Sequence, residues 1–161
     1  MPTAGFHYAS EMAKLPIDEN NAARERLARF VTAASASRPG GSVDGDRTVS
    51  QALARLAFWD RWAQQLLIRW RSGGMPPPAV PDWYDDAINE ALADQWRALP
   101  VDIAGRLALD AAKAVDREIS RVETPVDAAL TASGQTRLLD RYRYRNDALE
   151  ILERPHRQDA A

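Results

Sequence analysis

Between Ala52 and Trp70 apolar residues return at alternating steps of four and three: Ala52, Leu56, Trp59, Ala63, Leu66 and Trp70. Side chains so spaced share one stripe of an α-helix, and the stripe predicts packing against other helices. Thr48 is placed as the N-cap of this helix, which runs to about Arg71, where Ser72-Gly73-Gly74-Met75 and the prolines 76–78 stop it. An earlier helix is predicted to start from capping residues in Asp18 to Asn20. It carries Ala23, Leu27, Phe30, Val31 and Ala34 on one face and ends at Arg38-Pro39-Gly40-Gly41. Downstream, Trp83, Ala87, Ile88, Ala91, Leu92 and Trp96 mark a third helix from about Asp82 to Leu99, and Pro100 separates it from a fourth. The fourth, about Val101 to Val122, repeats Ala104, Ala108, Ala111, Val115, Ile119 and Val122, and its alanines let a neighbouring helix approach closely. Thr124-Pro125 and Ser133-Gly134 bracket a short helical turn, and a final helix is expected from about Gln135 to Glu153. No strand-length alternation of period two competes with these helices.

The pattern therefore predicts an all-α fold, a four-helix bundle with a short additional helix. The 161 residues suit one domain, 1–161, that buries roughly two thirds of its unfolded surface. Residues 1–17 and 154–161 are expected as loosely ordered ends, with His7, between Phe6 and Tyr8, either docking on the bundle or fraying.

Composition narrows the function classes. A net charge of −2 lacks the positive field that nucleic acid or a membrane surface requires, so neither partner is expected. No apolar window is long enough to span a bilayer and no basic start precedes an apolar run, which points to a cytoplasmic protein. Cysteine is absent, which excludes disulfides, thiolate metal sites and a cysteine nucleophile. His7 and His156 are the only histidines, so a three-histidine centre cannot form within one chain and no metal is expected.

Candidate chemistry gathers around Arg55, which lies about 40° from Trp59 on a helical wheel of ~100° per residue. In the final helix Ala148, Ile151 and Leu152 make one half of a face apolar. Arg141, Tyr144 and Arg145 lie within about 60° of the same direction and bring two guanidinium groups and a phenol to the other half. Such a cluster either pairs with Asp60, Asp110, Asp116, Asp140 or Asp147 or leaves donors for an anionic ligand. Trp59, Trp62 and Trp70, at helical spacing, read first as core and second as the wall of a ligand cavity.

Three segments carry a resemblance: Ala52-Leu53-Ala54-Arg55-Leu56-Ala57-Phe58-Trp59-Asp60, Asp86-Ala87-Ile88-Asn89, and Arg141-Tyr142-Arg143-Tyr144-Arg145-Asn146-Asp147-Ala148-Leu149. Together they resemble the DinB superfamily, in its branch similar to the N-terminal domain of mycothiol-dependent maleylpyruvate isomerase. The resemblance implies a four-helix bundle that holds a divalent metal through three histidines and transfers or isomerises small molecules with a low-molecular-weight thiol. The ligand positions fall on Arg55, Tyr144 and Ala148, so the metal-binding histidines are missing.

Two readings follow. In the first, a metal-independent DinB-like protein binds or transforms a small anionic molecule through Arg55, Trp59, Asp60, Arg141, Tyr144, Arg145 and Asp147. Arg55 and Tyr144 are then the catalytic candidates, the arginine stabilising an enolate or carboxylate and the phenol acting as an acid or orienting the substrate. Asp60 and Asp147 hold the arginines in place. An enzyme of this kind is a metal-free isomerase or transferase, with no cofactor expected beyond the thiol that the resemblance implies. In the second reading the former site is filled by structural ion pairs, and the chain is an inactive scaffold acting by homodimerisation or through a protein partner.

Overall fold

The computed structural model describes residues 14–37, 42–44, 47–73 and 80–154. The expectations placed on His7, on the prolines 76–78 and on His156 fall outside the described residues. Apart from connecting turns and one small hairpin, the described chain is helical. Helix α1 (Ile17–Ser37) is followed by strands β1 (Ser42–Asp44) and β2 (Arg47–Thr48), then by α2 (Val49–Arg71), α3 (Asp82–Arg97), α4 (Val101–Ile119), α5 (Thr124–Ala132) and α6 (Arg141–Leu152). The two strands pair antiparallel, Ser42 opposite Thr48, a feature too short to show as a period-two pattern.

Local signals account for four of the helix ends. Thr48 caps α2 by accepting the Gln51 amide at 3.2 Å. Gly73, at φ +87°, turns the chain out of that helix in the left-handed region that glycine tolerates. Pro81 and Pro100 stand immediately before α3 and α4. Two expectations are corrected. Asn20 does not cap α1, which begins at Ile17. Instead its buried side chain donates to the Leu139 carbonyl at 2.8 Å and accepts the Tyr142 amide at 2.7 Å, so α1 caps the start of α6 from across the fold. The final helix is correspondingly broken: a 3-10 turn at Thr136–Leu138 precedes α6. Leu138 and Leu139, at the end of this turn, are both buried.

Four helices close a ring of contacts, α2 against α4, α4 against α1, α1 against α6 and α6 against α2, with α3 packed on the outside of α2. The α4 stripe is buried as its spacing predicts, from Ala104 to Ile119. Gly105 beside it lets α1 approach so closely that an added Cβ would sit 2.6 Å from Val31 Cγ1.

On α2 the buried face is rotated by about one residue from the expected stripe. Leu53, Leu56, Asp60, Ala63 and Leu67 point inward, and Ala52, Trp59, Leu66 and Trp70 are half-buried at its edge. On α3, Trp83 stands 66% exposed, and Ala87 and Ala91 also face outward. The inward side of α3 is Asp85, Asn89, Leu92 and Trp96, again at steps of four, three and four.

The apolar interior is divided in two. One cluster contains Leu27, Leu53, Leu56, Ala57, Ala108, Ala112 and Leu149, and the other contains Ala63, Leu67, Val115, Ile119, Leu130 and Leu138. On α2, Asp60 falls between Ala57 of the first and Ala63 of the second, and on α4 Asp116 adjoins the same boundary. A buried polar layer thus separates two hydrophobic cores.

Candidate functional site

The polar layer is organised by Arg145, whose side chain is 0% exposed. Its Nε donates to Asp60 Oδ2 at 3.0 Å, its two terminal nitrogens reach Asp116 at 3.1 and 2.9 Å, and the carbonyls of Asn20 and Ala112 accept at 3.2 and 3.4 Å. Asp60 also accepts Arg141 Nε at 2.8 Å, and Asp116 is closed on its outer side by Arg24. The guanidinium of Arg145 keeps its proton more tightly than usual, because the adjacent carboxylates of Asp60 and Asp116 outweigh the opposing effect of burial. Charges this deep in the protein persist only when paired and hydrogen-bonded, and here they are.

Above this layer lies a cavity of about 530 Å³. Its floor is Arg55, Arg141 and Tyr144, and Trp59, Trp62 and Leu66 of α2 form one wall. Val80, Tyr84 and Asp85 bound it on the α3 side, and Thr136 and Arg137 from the segment before α6 join the lining. The Arg55 and Arg141 guanidinium carbons stand 5.9 and 5.0 Å from the centre of the Tyr144 ring, within cation–π range.

The two arginines of this floor are incompletely satisfied. No hydrogen bond or ion pair joins Arg55 to another described residue, and its Nε is buried without a partner. Arg141 is buried, bonded to Asp60 through Nε and to the Arg137 carbonyl through Nη1 at 3.1 Å, yet its Nη2 has no partner. The pKa of Tyr144 is pushed up to about 12, chiefly by burial, against the opposing pull of Arg55 and Arg141. At neutral pH its phenol is therefore a hydrogen-bond donor and not a base.

The sequence-derived candidates divide into two groups. Arg55, Trp59, Arg141, Tyr144 and Asp147 line the cavity. Asp60 and Arg145 lie beneath it in the ionic layer and do not reach its surface. Asp147 does not hold the arginines as expected. It is exposed at the rim and makes no ion pair among the described residues, because the anchoring carboxylates are Asp60 and Asp116. Trp59 belongs to the wall, its indole Nε1 donating to Asn89 Oδ1 at 3.0 Å and its ring meeting Phe58 edge-on at 5.0 Å.

Asp85, Tyr84 and Arg137 were not anticipated as site residues. Asp85 takes the Arg137 guanidinium on Oδ2 at 3.1 Å, and its Oδ1 is buried without a partner. The legible signal was the step pattern of Asp85, Asn89, Leu92 and Trp96, a helix stripe that turns polar at its N-terminal end.

The positions that the resemblance assigns to metal ligands do not fit a divalent metal. Arg55 and Tyr144 meet at the cavity floor, but one is permanently cationic, the other is held protonated, and Ala148 has no donor atom. No group of three or more His, Cys, Asp or Glu side chains suited to a metal ion occurs among the described residues. No helix among them is long and apolar enough to cross a membrane. Comparison with protein-family models, with curated proteins and with solved structures found no match to this chain.

Proposed function

We propose that this chain is a DinB-like four-helix bundle of α1, α2, α4 and α6 that works without a metal and binds a small anionic molecule in the cavity over Arg55, Arg141 and Tyr144. The observation that carries this reading is the unpaired state of Arg55 at the cavity floor. Arg145, in the ionic layer, has every acceptor it needs, whereas the half-buried Arg55 has none among the described residues. The terminal nitrogens of Arg55 are open to the cavity, and a carboxylate or phosphate oxygen there gains a charge-assisted hydrogen bond. Tyr144 adds a neutral donor. Where the bound anion is turned over, the neutral phenol is placed to donate a hydrogen bond to developing negative charge beside two fixed positive charges.

The scaffold reading explains Arg145, Asp60 and Asp116 but leaves the cavity and Arg55 without a purpose. The test compares wild type with Arg55→Ala by thermal shift and calorimetry against a panel of small carboxylates and phosphates. Binding to wild type raises its melting temperature, since a ligand that binds only the folded state stabilises it. Arg55→Ala should keep its folding stability to within about 1 kcal/mol, as expected of a residue with no pairing to lose, while weakening anion binding by about tenfold or more. Absence of any anion binding to wild type, or a loss of about 3–5 kcal/mol in Arg55→Ala as for a broken buried pair, overturns the proposal.

A further inference from the structure

The cavity has a direction. Arg55, Trp59, Trp62 and Leu66 line it from α2 at steps of four, three and four, so a single stripe of that helix runs along its length. At a rise of ~1.5 Å per residue the stripe extends over about 16 Å. Its two ends differ in chemistry. At the N-terminal end the Arg55 guanidinium lies beside the Tyr144 ring, with Arg141 on the same ring. At the other end Ala63 and Leu66 line the cavity together with Leu138, and all three also belong to the second apolar cluster.

Between these ends the α2 wall is aromatic. Trp59 is held by its bond to Asn89 and by edge-on contact with Trp62, ring centres 6.3 Å apart at 73°. Trp62 is 38% exposed, so its indole leaves apolar surface in water that a bound molecule covers with gain. Arg137 and Asp85, which border the same space, are paired with each other at 3.1 Å.

The volume of about 530 Å³ lies within the range of roughly 300–1,000 Å³ usual for small-molecule sites, more than an ion such as acetate or phosphate fills. Such an ion, held at Arg55, leaves the indoles and the Leu66 end against water. A ligand with an apolar body covers them, and each methylene fully buried in this way strengthens binding about fourfold.

We propose that the cavity selects an elongated amphiphilic monoanion, its charged head at Arg55 and Tyr144 and its apolar body laid along Trp59 and Trp62 towards Leu66. This inference rests on the anion-binding reading above and adds a length and a polarity that can fail separately.

Titration calorimetry with butanoate, octanoate, octanedioate and octanamide tests it. Octanoate should bind wild type about tenfold or more tightly than butanoate, since its longer chain reaches the tryptophan wall. Octanedioate carries a second carboxylate into the apolar end and should lose most of that gain. The uncharged octanamide should bind about tenfold or more weakly than octanoate. In Arg55→Ala the affinity for octanoate should fall by about tenfold or more, which places the acid in this cavity and not on another apolar surface. Octanoate binding no more than about threefold tighter than butanoate, octanedioate binding as tightly as octanoate, or octanoate binding unchanged in Arg55→Ala while butanoate binding weakens overturns this inference and leaves the anion site standing. Octanamide binding as tightly as octanoate, or failure of every acid to bind wild type, overturns both.

Discussion

Replacing Arg145 by methionine, a side chain of similar length without charge, tests the distinction between the ionic layer and the cavity floor. Arg145 is fully buried and supplies the donors that Asp60 and Asp116 share, in addition to two carbonyl contacts. Its removal leaves Asp60, 1% exposed, with Arg141 Nε alone, and Asp116 with Arg24 alone. Breaking a buried pair from one side costs about 3–5 kcal/mol, because the remaining charge is desolvated without compensation. Two remaining carboxylates place Arg145→Met at the upper end of that range, offset by the arginines each still holds. For a chain of this length about 2–4 °C of melting temperature accompanies each kcal/mol, so the loss should approach 10–20 °C, on the order of that conversion. Urea denaturation at neutral pH, followed by tryptophan fluorescence, measures it. The companion Asp60→Asn/Arg145→Met should recover part of the loss, since neutralising one stranded carboxylate removes part of the penalty. A cost below about 1 kcal/mol for Arg145→Met, in the range of a surface change, would refute the argument that this layer is held by mutual pairing.

Tyr144 links the site to pH. Its folded pKa of about 12 lies above the ordinary 10.0, so the folded state keeps a proton that the unfolded chain releases. The associated stability is complete below pH 10 and is lost as pH rises towards 12. Each tenfold difference in proton affinity between the folded and unfolded chain is worth about 1.4 kcal/mol. The loss therefore amounts to roughly 2–3 kcal/mol, and it should be absent from Tyr144→Phe. Stability curves for the two proteins across pH 9–12 check this, and parallel curves would show that burial does not hold the phenol protonated. Gly105→Ala should destabilise the fold even though alanine is the better helix former by about 1 kcal/mol, since the new methyl meets Val31 at 2.6 Å and overpacking costs about 1–3 kcal/mol. Val31→Ala in the same chain should relieve the clash, and denaturation of the single and double variants decides it.

Much of the helical framework was legible in single residues. Thr48 announced the start of α2, Gly73 its end, Pro100 the start of α4, and the α4 stripe of Ala104, Ala108, Ala111, Val115 and Ile119 named its buried face outright. These signals are local: a cap, a left-handed turn or a missing amide acts within one helical turn, and an all-apolar face needs no partner to be recognised. The arginines and the tyrosine were also legible as a group on one side of the last helix. Their roles were not. Asp60 was legible as a partner that holds the arginines but not as part of the buried face of α2, and only Arg141 and Arg145, 81 and 85 residues away in sequence, make its burial tolerable. Asn20 read as a cap for its own helix and serves another one 122 residues on. Arg55 and Arg145 are chemically the same side chain, and nothing in their neighbourhoods along the chain distinguishes the one that is saturated from the one that is not. Periodicity reports the direction a side chain takes from its own helix axis, whereas the pairing of charges depends on distances between helices of a few ångströms, and those exist only once α1, α2, α4 and α6 have packed.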